Sequence, residues 1–434
     1  MKRLFILLIS FVLLASCATA DTVGDSSSAG SEQDIADSQD SAIETVRISD
    51  INARRGVYLC DPEPEDPDGL ELSEYAGLLE YEALAEVSGM NIEVHGLSDE
   101  NQTLKILAGD SDIDIYFLFL DDMQLIKEKG FCTPIESDII EQFNSKTFPA
   151  LRDYCVDENG DIIAMPVSQY MDALFIPKKA VDELGIEAED VEYLDDFLEL
   201  VRSYDGERHN YGFHTMFYYE LEDQYHYYYC DLENGEFEYD NEVFRKLYED
   251  LLGGWVADGN DYRPEFSRYI GQHVLDEDEN LFIYTSISRL LSVTDAEKNK
   301  AVTDSLMCFP IPKLDENVEK HVGGSAVFAY INPYSKNKEA ALRLLEAIAQ
   351  NFYDVTYWHT VPYIFSDMSM YPEAIDTDSQ LFRDYIAMSN NCEMLLYSVN
   401  DEVSYIDWQY AYHELPLEDA LAERSRVVDI KLNE

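Results

Sequence analysis

The chain has 434 residues, with 88 acidic against 30 basic side chains and a formal net charge of −58. So negative a surface repels nucleic-acid phosphates and anionic lipid headgroups, which excludes a nucleic-acid partner and a charge-driven membrane contact. An apolar content of 46%, with 31 tyrosines and 20 phenylalanines, supplies a large core, and the length suits roughly two or three domain-sized units.

Lys2 and Arg3 precede an apolar run from Leu4 to Ala15 that only Ser10 interrupts. The run is far shorter than the about 20 residues a spanning helix needs, so it reads as an export signal. It closes on Leu14-Ala15-Ser16-Cys17, which resembles the bacterial lipobox. That resemblance implies acylation of Cys17 as the first mature residue, and two or more acyl chains anchor stably at about 0.8 kcal/mol per buried CH₂. An ordinary signal peptide with an incidental cysteine is the alternative. Loss of residues 1–16 makes the charge about −60. Residues 18–46 are rich in Ser, Asp, Glu, Ala and Gly, and have too little apolar material to offset the entropy of ordering. They read as a linker spanning roughly 30 Å. Cys60, Cys132, Cys155, Cys230, Cys308 and Cys392 remain, widely spaced and without a C-x-x-C pair. Disulfides and buried free thiols are both open.

The globular body begins near Val46. Val57-Tyr58-Leu59 reads as a strand, Leu70 to Ser88 as a helix stopped by Gly89, Ile92-Glu93-Val94 as a strand, and Gln102 to Ala108 as a short helix. The apolar run from Ile113 to Leu120 has the pattern of a buried parallel strand. Strands are expected at Ile162 to Met165 and Ala173 to Ile176, and a helix at Asp195 to Ser203. Tyr227 to Cys230 and Glu236 to Tyr239 flank Glu233-Asn234-Gly235, a hairpin pattern that makes Tyr225, Tyr227, Tyr228 and Tyr229 strand residues. Asn241 to Leu252 follows as a helix, Leu281 to Tyr284 and Ala326 to Ile331 as strands, Lys338 to Gln350 as a helix, and the last eighty residues as mainly helical. Alternation of strand and helix predicts parallel α/β sheets with helices on both faces.

Several segments, in order, resemble the bacterial extracellular solute-binding family that includes the sugar-binding lipoproteins of ABC transporters. Leu107-Ala108-Gly109-Asp110 followed by Asp112-Ile113-Asp114-Ile115 is similar to its helix-to-strand step. Gly130 to Ile135, Gly160 to Pro166, Tyr193 to Phe197, Tyr239 to Phe244, Phe309-Pro310-Ile311-Pro312, Gly323 to Ala326 and Ser335 to Ala341 are similar to later family segments, and Leu417 to Glu434 to its closing helix. Ile176-Pro177-Lys178 departs from the family's Tyr-Asn-Lys, and Tyr193 stands at a usual tryptophan. The resemblance implies an α/β, two-lobed periplasmic-binding-protein-like fold of class II type, with hinge crossovers and a mainly helical C-terminal part. Lobe 1 is expected at 47–167 plus 309–350 and lobe 2 at 168–308 plus 351–434, with crossings near Val167, Phe309 and Gln350.

Ligands in open α/β sheets sit beyond the carboxyl ends of strands. That rule, with the resemblance, selects Asp61, Asp121, Tyr170, His214, Phe217, Tyr218, Tyr284, Ser286, Gly324 and Trp358 as candidate ligand-binding residues. Carboxylates accept hydrogen bonds from hydroxyls or ammonium groups, and tyrosine both stacks and donates. Asp121 is equally a charged loop residue, and Tyr170 and Tyr218 are equally packed aromatics. Catalysis finds no motif: there is no G-x-S-x-G, no phosphate loop and no H-E-x-x-H, and the eight histidines lack metal spacing. The expectation is a monomeric, non-enzymatic, extracytoplasmic lipoprotein without cofactor or metal. It captures a small solute, foremost an oligosaccharide, for the permease subunits of an ABC importer. A secreted glycoside hydrolase, a ligand-presenting sensor partner, and a polyamine or peptide ligand are the alternatives.

Overall fold

The computed structural model describes residues 44–50, 78–97, 99–203, 209–211, 215–232, 234–253, 280–356, 362–394 and 400–433. Cys17, most of the linker and the strand expected at Val57 lie outside them. The first stretch holds β1 (Thr45–Asp50), α1 (Tyr81–Ser88), β2 (Asn91–His95), α2 (Asp99–Leu107), β3 (Ile115–Phe119), α3 (Leu120–Glu128), α4 (Asp138–Ser145), α5 (Pro149–Tyr154) and β4 (Met165–Tyr170). Next come β5 (Asp172–Pro177), α6 (Lys178–Leu184), α7 (Leu194–Ser203), β6 (His209–Tyr211), α8 (Thr215–Tyr229) and α9 (Glu242–Leu247), which runs on as a π-helix, Tyr248–Gly253. β7 (Asn280–Ser286), α10 (Ile287–Leu290), α11 (Ala296–Ser305) and β8 (Leu306–Phe309) complete that part. The remainder is β9 (His321–Val322), β10 (Ser325–Ile331), α12 (Lys338–Gln350), α13 (Phe352–Val355), α14 (Gln380–Asn390), β11 (Cys392–Glu393), α15 (Asn400–Ala411) and α16 (Leu417–Asn433).

Two principal sheets result, in the orders β2-β1-β3-β10-β4 and β6-β7-β5-β8. Both are mixed, not parallel. β1 runs parallel to β2 and β3, but β10 is antiparallel to β3 and β4. β10 enters the first sheet on a return from the second, so its direction is set by that return and not by a crossover helix. β5 is likewise antiparallel to β7 and β8.

Alternation along β5 explains how the second sheet is covered. Leu174 and Ile176 enter one apolar core with α7, α8 and α9, while Ala173 and Phe175 enter the other with β8. The period of two sends neighbouring side chains to opposite faces, and each fully buried aliphatic or aromatic side chain contributes about 1.5–3 kcal/mol. Leu344, Leu345 and Ile348 of α12 pack in the first core beside Val46 and Ile48. Its apolar positions recur at helical spacing, and the helix has the bounds its periodicity predicts.

Tyr225, Tyr227, Tyr228 and Tyr229 are helical, not strand residues. The segment 215–229 is one helix, and only a bridge between Asp231 and Glu236 remains of the expected hairpin. Tyrosine favours strands as an isolated preference. Here Phe217, Leu221 and Tyr225, four residues apart, are all buried in the second core, so packing of that stripe overrides it. Gln224 pins the helix by donating to the Pro312 carbonyl at 3.1 Å and accepting from the Leu314 amide at 3.1 Å.

Beneath α15 and α16 lies a buried charge cluster. Arg424 is 0% exposed and pairs with Glu222 of α8 and Asp407 of α15. The Tyr248 hydroxyl donates to Asp407 at 2.8 Å, and the guanidinium lies 5.0 Å from the Tyr239 ring centre. His226, one turn beyond Glu222, lies 2.9 Å from the Tyr239 hydroxyl. Burial lowers the His226 imidazole from its ordinary 6.5 to about 3. In the unfolded chain it takes a proton near its ordinary value, so its share of the stability is intact above that pH and is lost as pH falls, by about 1.4 kcal/mol per pH unit. His226→Gln is therefore expected to flatten the decline in urea midpoint between about pH 6.5 and pH 4; an unchanged slope would show that this imidazole is not held neutral.

Candidate functional site

The functional candidates gather where the chain passes between the sheets. Met171 alone separates β4 of the first sheet from β5 of the second. The return runs from Phe309 to β9 and β10, and β9 is held by a parallel pairing with β11. In the register of β5 and β7, Asp172 faces Ser286 and Leu174 faces Tyr284, so Asp172 and Tyr284 are diagonal neighbours on one face. Helix α8 lies over that face, with the Phe217 ring centre 5.4 Å from that of Tyr284. Glu220, three residues on and so on the same side of the helix, reaches the same tyrosine.

Glu220 also meets Gly323. A Cβ added at Gly323 would stand 2.0 Å from Glu220 Oε2, and Gly323 has φ +141°, so only glycine lets the carboxylate approach this backbone. Burial holds the Glu220 carboxyl well above the usual carboxylate range, and repulsion from Asp172 and Asp223 adds to it. Burial also raises Asp172, against the opposing pull of Arg289 and of Tyr284. The Tyr284 hydroxyl is pushed far up by burial and then by both carboxylates. Asp172 and Glu220 are both largely enclosed, and each keeps some solvent-accessible surface.

Near the crossover, both amide atoms of Gln169, the Ser168 hydroxyl and the Thr285 hydroxyl are buried without a well-formed hydrogen bond. A buried unsatisfied polar group costs about 1–3 kcal/mol, so these groups call for a partner, whether water or solute. Among the described residues no group of three or more His, Cys, Asp or Glu is placed to hold a metal.

No protein-family model matches the sequence, and no curated protein matches it. Solved structures do. A cyclo/maltodextrin-binding protein complexed with maltotetraose aligns over 91% of this chain and 98% of its own, with 12% identity and a TM-score of 0.56. A chitin oligosaccharide binding protein aligns over 90% and 100%, with 17% identity and a TM-score of 0.59. The sugar-binding protein MalE from Xanthomonas citri aligns over 90% and 97%, with 14% identity and a TM-score of 0.58. This chain has the two-lobed, periplasmic-binding-protein-like fold. The neighbours named are binding proteins and not enzymes.

In a binding-protein fold the crossovers are the hinge about which the lobes close, and the carboxylate group lies beside them. Of the residues selected from sequence, Tyr284, Ser286 and Gly324 fall in this region. Ser286 ends β7 and caps α10 by accepting from the Ser288 amide at 3.2 Å. Gly324, with φ 84°, precedes β10. Tyr170 ends β4 opposite Ser325. Asp121 is exposed in the first turn of α3, beyond the carboxyl end of β3. Phe217 and Tyr218 lie in the second core instead of facing solvent: Phe217 sits between Phe197 and Tyr284, and Tyr218 against Tyr248. Asp61, His214 and Trp358 lie outside the described residues. Sequence reasoning passed over Asp172, Glu220 and Arg289 as contributors. The helical stripe Phe217-Leu221-Tyr225 was the signal that could have placed Glu220 on a helix face beside a strand end.

Proposed function

We propose that the chain is an extracytoplasmic solute-binding lipoprotein that captures an oligosaccharide between its lobes and presents it to the permease of an ABC importer. The observation that carries this reading is the set of unpartnered buried polar groups at the crossovers of a two-lobed fold. A bound solute completes those hydrogen bonds, and closure of the lobes desolvates them. Cys17 is the attachment point for lipid, and residues 18–46 the tether. No helix among the described residues is long and apolar enough to cross a membrane.

A thermal-shift screen against oligosaccharides, oligopeptides, polyamines and amino acids tests the capture function. A ligand at about 100 times its Kd stabilises the folded form by about 2.7 kcal/mol, so the melting temperature rises with its concentration. An oligosaccharide is expected to produce that rise without being cleaved. A panel in which no solute moves the transition would sink the reading, and release of reducing ends would mark a hydrolase in its place.

A further inference from the structure

A recess of about 440 Å³ lies along β8, the edge strand of the second sheet, and is bordered by α14 and β9. β8 pairs with β5 on the side away from β7, and the recess shares no residue with the group around Tyr284. Its volume is that of a small-molecule site, about 300–1,000 Å³. Met307, Phe309 and Pro310 line it from the β8 side, and Met388 from α14. His321 of β9 also borders it. This side chain keeps some solvent-accessible surface, yet its Nδ1 is buried without a hydrogen-bond partner. Burial, and then the charge of Lys313, lower the imidazole from 6.5 to about 4, so it is neutral at pH 7 and one of its two nitrogens is a bare acceptor. The charged residues at the recess, Glu187 and Asp384, are both acidic and turn anions away. Asp384 already accepts from the Gln380 amide at 2.6 Å and lies beside Arg383, so it does not call for a cation.

We propose that this recess is a second small-molecule site, which takes a flat, uncharged aromatic with one hydrogen-bond donor, of the indole or phenol type. The ring lies against the two methionine side chains and Phe309. Thioether sulfur is polarizable and packs favourably beside an aromatic ring, and Phe309 offers a ring of its own. The N–H or O–H of the ligand donates to the bare imidazole nitrogen, which supplies His321 with the partner the chain withholds. A sugar suits this lining poorly, because most of its hydroxyls would face thioether, ring and proline carbon and stay unpaired. The recess is thus distinct from the solute cleft in place and in chemistry.

Isothermal titration of the full chain with indole, N-methylindole and indole-3-acetate tests the site. Indole is expected to bind about tenfold more tightly than N-methylindole, which keeps the ring system but has no donor, and than indole-3-acetate, which adds a negative charge. His321→Phe keeps a ring in place and removes the acceptor, so it is expected to bring indole down to the affinity of N-methylindole. Ala387→Trp, at an exposed position of α14 that lines the recess, fills the space and is expected to abolish indole binding while the chain still unfolds in a cooperative transition. His321→Phe serves if Ala387→Trp does not fold. Equal affinity for indole and N-methylindole, or indole binding that neither substitution weakens, overturns the assignment, and so does the failure of all three probes to bind.

Discussion

Arg424→Met lowers the free energy of unfolding by about 3–5 kcal/mol, because it leaves the Glu222 and Asp407 carboxylates buried without their cation. The guanidinium is fully enclosed and ties the last helix, α16, to α15 and to α8. It also lies over the rings of Tyr239, Phe244 and Tyr248, so the cluster joins charge pairing to cation–π contact. The loss is read from urea unfolding. The triple variant Glu222→Gln, Asp407→Asn, Arg424→Met is expected to recover most of it, since removing a buried ion pair whole costs far less than removing one partner. If the single substitution costs no more than an ordinary core change of about 1 kcal/mol, the cluster does not carry the charges described.

Gly323→Ala is expected to abolish the solute-induced thermal shift and to lower stability by about 1–3 kcal/mol. The new Cβ would overlap Glu220 Oε2, and the φ of +141° strains any side chain. Glu220 must then leave its place beside Tyr284, or the crossover backbone must move. Adding Glu220→Ala separates the two causes. The double variant regains the part of the stability lost to overlap but not the solute response, a coupling that a double-mutant cycle measures. Additive effects of the two changes would place Glu220 away from Gly323.

Much of the strand and helix order was legible beforehand. Lys338–Gln350 has strong period and clear ends, and β3 shows the continuous apolar run of a strand buried on both faces. Other features were not. The run 215–229 has tyrosines that suit a strand locally, and only its burial stripe makes it a helix. Strand direction in the first sheet was also hidden, because the pattern of a strand does not record whether the chain arrives from the same sheet or from the other one. Tyr218 was selected as an aromatic facing a solute, yet it is buried beside Arg424, more than two hundred residues away in sequence.

Local chemistry in the chain, taken alone, determined the acidic character, the apolar periodicities, the glycines before β10 and the order of segments that resembles a binding-protein family. These are properties of neighbours in sequence, and periodicity carries them. Tertiary structure alone decided that Asp172, Glu220, Tyr284 and Gly323 meet. They come from two strands, a helix and a crossover loop spread over some 150 residues, and their proximity depends on how the sheets are threaded, about which no local pattern holds information.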